Sequence, residues 1–336
     1  MLTAHVKRAV KSSPALIRIA VPLFRIKSIA LAHIPVTGTF PRFPERSRID
    51  VIEFSSLSDF EAWRVANDEL IISWKAEDEA AAPPDRFAFE VDGHCALCNE
   101  SVDFVATTEY IDTDSSGRPQ PKWREHLICP NCNMRNRVRA ALHFAIQECG
   151  MTPDKRIYLT EQFGNTYRWL RGRFNHVTGS EFLSPGKASG AQHLGINHQD
   201  LHALSYPTAS FDYVLSFDVL EHVPDYLAAF SEIARVLAPS GKLVMTVPFI
   251  TSQYDTVVRA SMNSRGQIEH FLPIEVHGNP TDPINGALCY RNFGWDVLDR
   301  LTDCGFVEAR VHVYHNRDLG YLGGTQTLIS ATKAGQ

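Results

Sequence analysis

Residues 211–224 read Phe-Asp-Tyr-Val-Leu-Ser-Phe-Asp-Val-Leu-Glu-His-Val-Pro, and residues 235–248 read Arg-Val-Leu-Ala-Pro-Ser-Gly-Lys-Leu-Val-Met-Thr-Val-Pro. Tyr213 to Phe217 is a short apolar run, the pattern of a strand buried on both faces. Asp218 to Pro224 supply polar and turn-forming residues after it. A helix is predicted from Asp225, which can cap it, with Tyr226, Phe230, Ile233 and Leu237 recurring at helical spacing. Pro239-Ser240-Gly241 ends that helix, and Leu243 to Val247 is the next buried strand. Strand, helix and strand in this order imply a right-handed parallel unit. In open α/β sheets ligands bind beyond the carboxyl ends of the strands, so Asp218, Glu221 and His222 stand where a site is expected.

The Leu220-Glu221-His222 word and the Arg235-Val-Leu-x-Pro-x-Gly word, at this spacing, resemble the second half of the cofactor-binding core of class I S-adenosylmethionine-dependent methyltransferases, in the branch called type 11. The resemblance implies an α/β fold: a Rossmann-like doubly wound sheet with a terminal antiparallel hairpin, here from Val307 to Tyr314 and Thr327 to Thr332. It also implies the cofactor S-adenosylmethionine. On that pattern Arg156 to Thr160 is the first strand, and Glu161 and Gly164 follow it as the acid and the remaining glycine of the methionine-binding loop. Glu181, ending the second strand His176 to Glu181, would take the ribose hydroxyls. Asp200 would take the adenine amine with Leu201 beside the ring, and Asp218 would line the cofactor edge. Phe163 and Tyr167 occupy positions where glycines usually let the backbone approach a ligand. This departure keeps a non-catalytic binding or scaffold protein in view.

The chain has 336 residues, 44% hydrophobic and 21% charged, which suits a globular protein of more than one unit. A net charge of −5 and the lack of a long basic stripe argue against a nucleic-acid binder, although an RNA methyltransferase with a zinc module is a further reading. No apolar run is long enough to span a bilayer. Of seven cysteines, Cys95, Cys98, Cys129 and Cys132 form two Cys-x-x-Cys pairs. Two such knuckles make a tetrahedral thiolate site suited to structural zinc. Asn99 and Asn133 follow them where a left-handed residue is useful, and Val102 to Tyr110 with Trp123 to Ile128 is read as the intervening hairpin. The odd cysteine total suits a reducing cytoplasm. The Arg135-Asn-Arg-Val-Arg139 cluster opens a helix and reads as its solvated face.

The expected division is 1–85, a basic arm and mixed segment; 86–150, a zinc-ribbon-like module; and 151–336, the methyltransferase-like domain with an insert at about 249–292. Residues 1–48 hold many Lys and Arg against one acid, Glu45. Such an arm suits packing on this or a second subunit, or peripheral contact with an anionic inner membrane face. Ser58 followed by Glu61 reads as a capped helix start, and Ala80-Ala-Ala-Pro-Pro84 as a linker. The insert should cover the acceptor pocket. An oxygen acceptor needs a base, and His222, His270 and His277 are the candidates. The layout also resembles methyltransferases associated with surface-polysaccharide synthesis, which implies a glycan or small-molecule hydroxyl as acceptor.

Overall fold

The computed structural model describes residues 37–83, 86–107, 111–113 and 117–335, the side chains of 111 and 112 excepted. Residues 1–36, with most of the basic arm, and Pro84 of the expected linker lie outside the described residues. A seven-stranded sheet organises the molecule. Its strands are β1 (Ile52–Phe54), β4 (Arg156–Leu159), β5 (His176–Gly179), β6 (Phe211–Phe217), β7 (Leu237–Thr246), β8 (Phe306–Asn316) and β9 (Tyr321–Lys333). Strands β2 (Ala88–Cys95) and β3 (Glu100–Thr107) form a separate hairpin. The sheet order is β1-β8-β9-β7-β6-β4-β5. Neighbours from β7 to β5 run parallel, and β9, β8 and β1 add antiparallel pairs. The chain winds outward from β4 to β5, then crosses back to β6 and β7. The switch point therefore lies between β4 and β6, where doubly wound sheets bind ligands.

Alternation along the strands builds two cores. Ile157, Leu159, Leu215 and Phe217 face one cluster, and Tyr158, Val214, Leu243 and Met245 face the other. The first cluster packs helix α3 (Asn136–Gln147), helix α4 (Asn165–Arg171) and the knuckle cysteines onto the sheet. The second packs α1 (Leu57–Ala66), α5 (Tyr226–Val236) and α6 (Asp296–Asp303). Asp225 caps α5 as expected, accepting the Ala228 N–H at 3.0 Å. The cap of α1 is Ser56, which accepts the Asp59 N–H at 3.2 Å, rather than Ser58. The alanines of the expected linker continue α2 (Asp68–Ala81), since alanine extends a helix readily. From the end of the arm, Phe40 packs edge-on against Phe174 and Phe43 against His143.

The knuckle module departs from expectation in its pairing. Strand β3 pairs along its whole length with β2, so the first knuckle is the turn of that hairpin. Ile128 meets β3 only at a single bridge to Val105. The insert at 249–292 folds as three two-stranded ladders, 257–258 with 291–292, 260–262 with 268–270, and 276–277 with 287–288.

Candidate functional site

The loop leaving β4 carries Glu161, Gln162, Phe163 and Gly164. Gly164 sits at φ 127° with open space where a Cβ would be, a conformation other residues rarely adopt, and it turns the chain into α4. Gly179, at the end of β5, is needed for closeness: a Cβ there would meet the Tyr167 ring at 2.7 Å. Glu181 follows, and its Oε1 accepts the N–H groups of Gln162 at 2.7 Å and Phe163 at 2.6 Å. Burial pushes this carboxyl up to about 8 against those two bonds. Gln162 reaches across to Gly195 and Asn197, and Phe163 packs on Ile196, so side chains join the two loops where glycines were expected. Glu161 is also raised, by burial, against a hydrogen bond from Thr166. Asp200 accepts the His202 N–H at 3.0 Å and pairs with its ring at 2.8 Å, with Leu201 buried beside it. Glu161 and Glu181 thus follow the ends of β4 and β5, and Asp200 lies in a loop, bridged to Ala203.

Asp218 likewise follows the end of β6, at φ 55°, but its carboxylate is committed elsewhere. Arg124 grips it with two bonds, of 2.5 and 2.6 Å, Arg137 stands at 3.1 Å, and the Thr246 hydroxyl donates at 2.9 Å. Burial alone would raise this carboxyl, but the two arginines outweigh it and hold it well below the usual carboxylate range. Asp218 therefore ties the knuckle module to the sheet rather than lying open to a cofactor. Glu125 completes the network with Arg124, Arg137 and Arg135 at 3.0, 2.9 and 2.7 Å.

The solvated helix face expected at Arg135 to Arg139 holds for Arg135, which is exposed, and is overturned for Arg137 and Arg139. Arg137 is buried, and Arg139 is fully buried, donating to the carbonyls of Leu319, Leu127 and Gly320 and lying over the Phe104 ring at 4.0 Å. Every residue of α3 from Asn136 to Ile146 is buried, so the helix has no wet side there, and the local sequence, with Arg139 and His143 inside the run, gives no signal of it.

The four knuckle cysteines converge as predicted. Their sulfurs lie within 4.8 Å of one another, with Cys95–Cys132 at 4.0 Å and Cys98–Cys129 at 3.9 Å. A tetrahedron with Zn–S bonds of about 2.3 Å has edges of about 3.8 Å. Asn99 and Asn133 both take φ 55°, and their N–H groups close each knuckle onto the carbonyls of Cys95 and Cys129 at 2.8 Å.

Three residues beyond Asp218 the chain makes a short turn, Leu220–His222. Glu221 there is wholly buried, and neither carboxylate oxygen has a hydrogen-bond partner among the described residues. His222 Nε2 and His277 Nδ1 each stand 3.6 Å from Glu221 Oε1. His222 Nδ1 donates to the Leu288 carbonyl at 2.8 Å, and His277 Nε2 bonds Glu275 Oε1 at 3.0 Å. Contact with Glu221 raises His277 above its ordinary value, against desolvation. Arg259 holds Glu275 at 3.1 Å. The insert thus delivers His277 to the turn that carries His222. His270 is not brought in: it stands exposed on the ladder 268–270.

A doubly wound sheet with acids at the ends of β4, β5 and β6 defines a nucleotide-cofactor fold. Residues 163–245 match the family described as "Methyltransferase domain". The chain carries a class I S-adenosylmethionine-dependent methyltransferase domain. It is 33% identical over 128 residues to a demethylmenaquinone methyltransferase of Staphylococcus epidermidis, covering 36% of this chain and 47% of that protein. It is 40% identical over 103 residues to the protein of that name from Anoxybacillus flavithermus, covering 30% and 42%. The chain therefore spans about half the length of the curated relatives it matches. Among solved structures, an S-adenosylmethionine-dependent methyltransferase from Mesorhizobium loti aligns at 20% identity and a TM-score of 0.36, covering 57% of this chain and 98% of that one. No helix among the described residues is long and apolar enough to cross a membrane.

Proposed function

We propose that the protein transfers a methyl group from S-adenosylmethionine to an oxygen atom of a small molecule or glycan. The observation that carries this reading is the convergence of His222 and His277 on buried Glu221 at the carboxyl edge of the sheet, beside the strand ends that face the cofactor. A methyl transfer needs its acceptor aligned and water excluded, and an oxygen acceptor must also lose a proton. The insert 249–292 folds over this edge and supplies the alignment.

The residues present fit the cofactor. Arg137 Nη1 is buried with no partner among the described residues, and it acts on both Glu161 and Asp218. That open Nη1 donor, on a guanidinium already paired with Glu125 and Asp218, suits a carboxylate like that of the methionine moiety. Glu181 would meet the ribose hydroxyls with the oxygen not engaged by Gln162 and Phe163, and Asp200 and Leu201 would meet the adenine. When bound, the sulfonium supplies an activated methyl group. Zinc in the four-cysteine site would be structural, holding the hairpin and α3 so that Arg124 and Arg137 reach the sheet.

One observation favours a second reading. Glu181 Oε1 and Gln162 close the loop on itself, as a protein that kept the fold and lost the cofactor would allow. Calorimetric titration of zinc-replete protein with S-adenosylmethionine decides between them. Wild type should bind, and Glu181→Gln, which keeps an oxygen for the two N–H groups but loses the carboxylate, should weaken binding about tenfold, the loss of roughly one charge-assisted hydrogen bond. A folded wild type that binds neither S-adenosylmethionine nor its demethylated product overturns the enzyme reading in favour of the scaffold.

A further inference from the structure

Nitrogen atoms of His222 and His277 converge on a carboxylate oxygen of Glu221. The Leu288 carbonyl can only accept, so His222 Nδ1 carries the hydrogen of that 2.8 Å bond, and the neutral ring turns its Nε2 lone pair toward Glu221. His277 is fixed the same way: Nε2 lies 3.0 Å from the Glu275 carboxylate, so Nδ1 is the free atom. The 3.6 Å separations are too long for hydrogen bonds. They lie within a few tenths of an ångström of the roughly 3.3 Å edge of a tetrahedron with metal–nitrogen or metal–oxygen bonds of about 2.0–2.1 Å. All three donor atoms lie within 4.8 Å of one another. Glu221 is 0% exposed with both oxygens without a hydrogen-bond partner among the described residues, a costly arrangement for a carboxylate unless a cation compensates it.

We propose that Glu221, His222 and His277 bind a divalent transition-metal ion of the zinc type. The surroundings match what orders imidazole ligands elsewhere: the second ring nitrogen of each histidine is anchored, one on a backbone carbonyl and one on a carboxylate. Arg259 then fixes that carboxylate, Glu275. Cys289 belongs to the same neighbourhood, but its thiol donates to the Arg291 carbonyl at 3.2 Å and stays outside the ligand set. Two histidines and one carboxylate leave a coordination position open, as catalytic zinc sites do. This inference deepens the methyl-transfer reading and rests on it for the identity of the visiting ligand. An acceptor hydroxyl in the open position would be acidified by the ion, and the imidazoles would act as ligands rather than as the free base.

The test is cobalt titration of the full chain, with its four-cysteine site already filled by zinc, followed by visible absorption and elemental analysis. Wild type should take up a second metal equivalent, with the weak visible bands of nitrogen and oxygen ligation and no thiolate charge transfer. Glu221→Gln and His277→Gln, each checked for native circular dichroism, should lose at least a hundredfold in affinity. Glu275→Gln should weaken binding by roughly ten- to a hundredfold as an anchoring residue. A wild type that takes up no cobalt, or a Glu221→Gln protein that takes it up equally well, overturns the proposal. Those failures are separable from failure of the methyl-transfer reading. Protein that binds S-adenosylmethionine but no cobalt refutes only the metal site. Protein that binds cobalt but not the cofactor keeps the metal site and refutes only the transferase.

Discussion

Two carboxylates three residues apart, on one loop at one edge of one sheet, live in opposite surroundings. Asp218 has two arginines and a hydroxyl, and the Glu221 carboxylate has no hydrogen-bond partner among the described residues. Both are enclosed. The difference separates cement from site. A buried charge that is fully paired holds two parts of the molecule in register, and removing one partner is costly because the other is stranded. A buried charge left unpaired by its own protein awaits a ligand. On this view the four-cysteine module is no appendage: through Arg124 and Arg137 it neutralises the loop that, a turn later, presents Glu221.

The strongest way to break the comparison is to remove the module's anchor. Cys129→Ser should abolish the zinc binding proposed for the four-cysteine site, which in small modules contributes about 10–16 kcal/mol, comparable with the whole stability of a domain. We expect the β2–β3 hairpin and α3 to lose protection in amide hydrogen exchange and the Asp218 pairing to dissolve with them. Full protection of α3 in the mutant would mean that the module folds without its metal.

A gentler probe uses pH. His143 and His312 sit where α3 meets the sheet, against Tyr321 and Phe144 respectively, and burial holds both down to about 3. The unfolded chain protonates these rings near 6.5 while the folded one resists until about 3. Their contribution is therefore fully present above pH about 6.5 and is lost progressively as pH falls toward 3, by at most about 1.4 kcal/mol per pH unit per histidine. Glu181 and Glu161, raised by burial, act in the opposite direction over the same range, so the histidine is isolated by comparison: in urea unfolding between pH 7 and 5, stability should drop more, or rise less, on acidification in wild type than in His143→Gln. An unchanged slope would remove His143 from the account.

The fold was legible because its signals are local. The apolar runs at Tyr213 to Phe217 and Leu243 to Val247, the Asp225 cap and the two Cys-x-x-Cys words each depend on neighbours in sequence. The asparagines after the knuckles took their left-handed turns for the same reason. The candidate site was half legible. His222 and His277, both read as candidates, are brought together beside Glu221, but nothing within either segment says that Glu275 and the Leu288 carbonyl would fix their rings. His270 is chemically equivalent on paper and lands on an exposed ladder. The arginines of α3 were misread because their partners, Asp218 and the carbonyls of Leu319 and Gly320, lie about eighty to one hundred and eighty residues away. Burial of that kind is decided by tertiary contact, not by local pattern.

The measurement that tests the central contrast most directly is the unfolding free energy of Asp218→Asn and Glu221→Gln, side by side, at pH 8.5 with zinc confined to the four-cysteine site. The two substitutions should differ sharply. Asp218→Asn strands Arg124 and Arg137 and should destabilise by about 3–5 kcal/mol. Glu221→Gln replaces an unpartnered buried carboxylate with an amide of the same shape and should be neutral or stabilising, by up to about 1 kcal/mol. Equal destabilisation by both would contradict the account and make Glu221 one more structural ion.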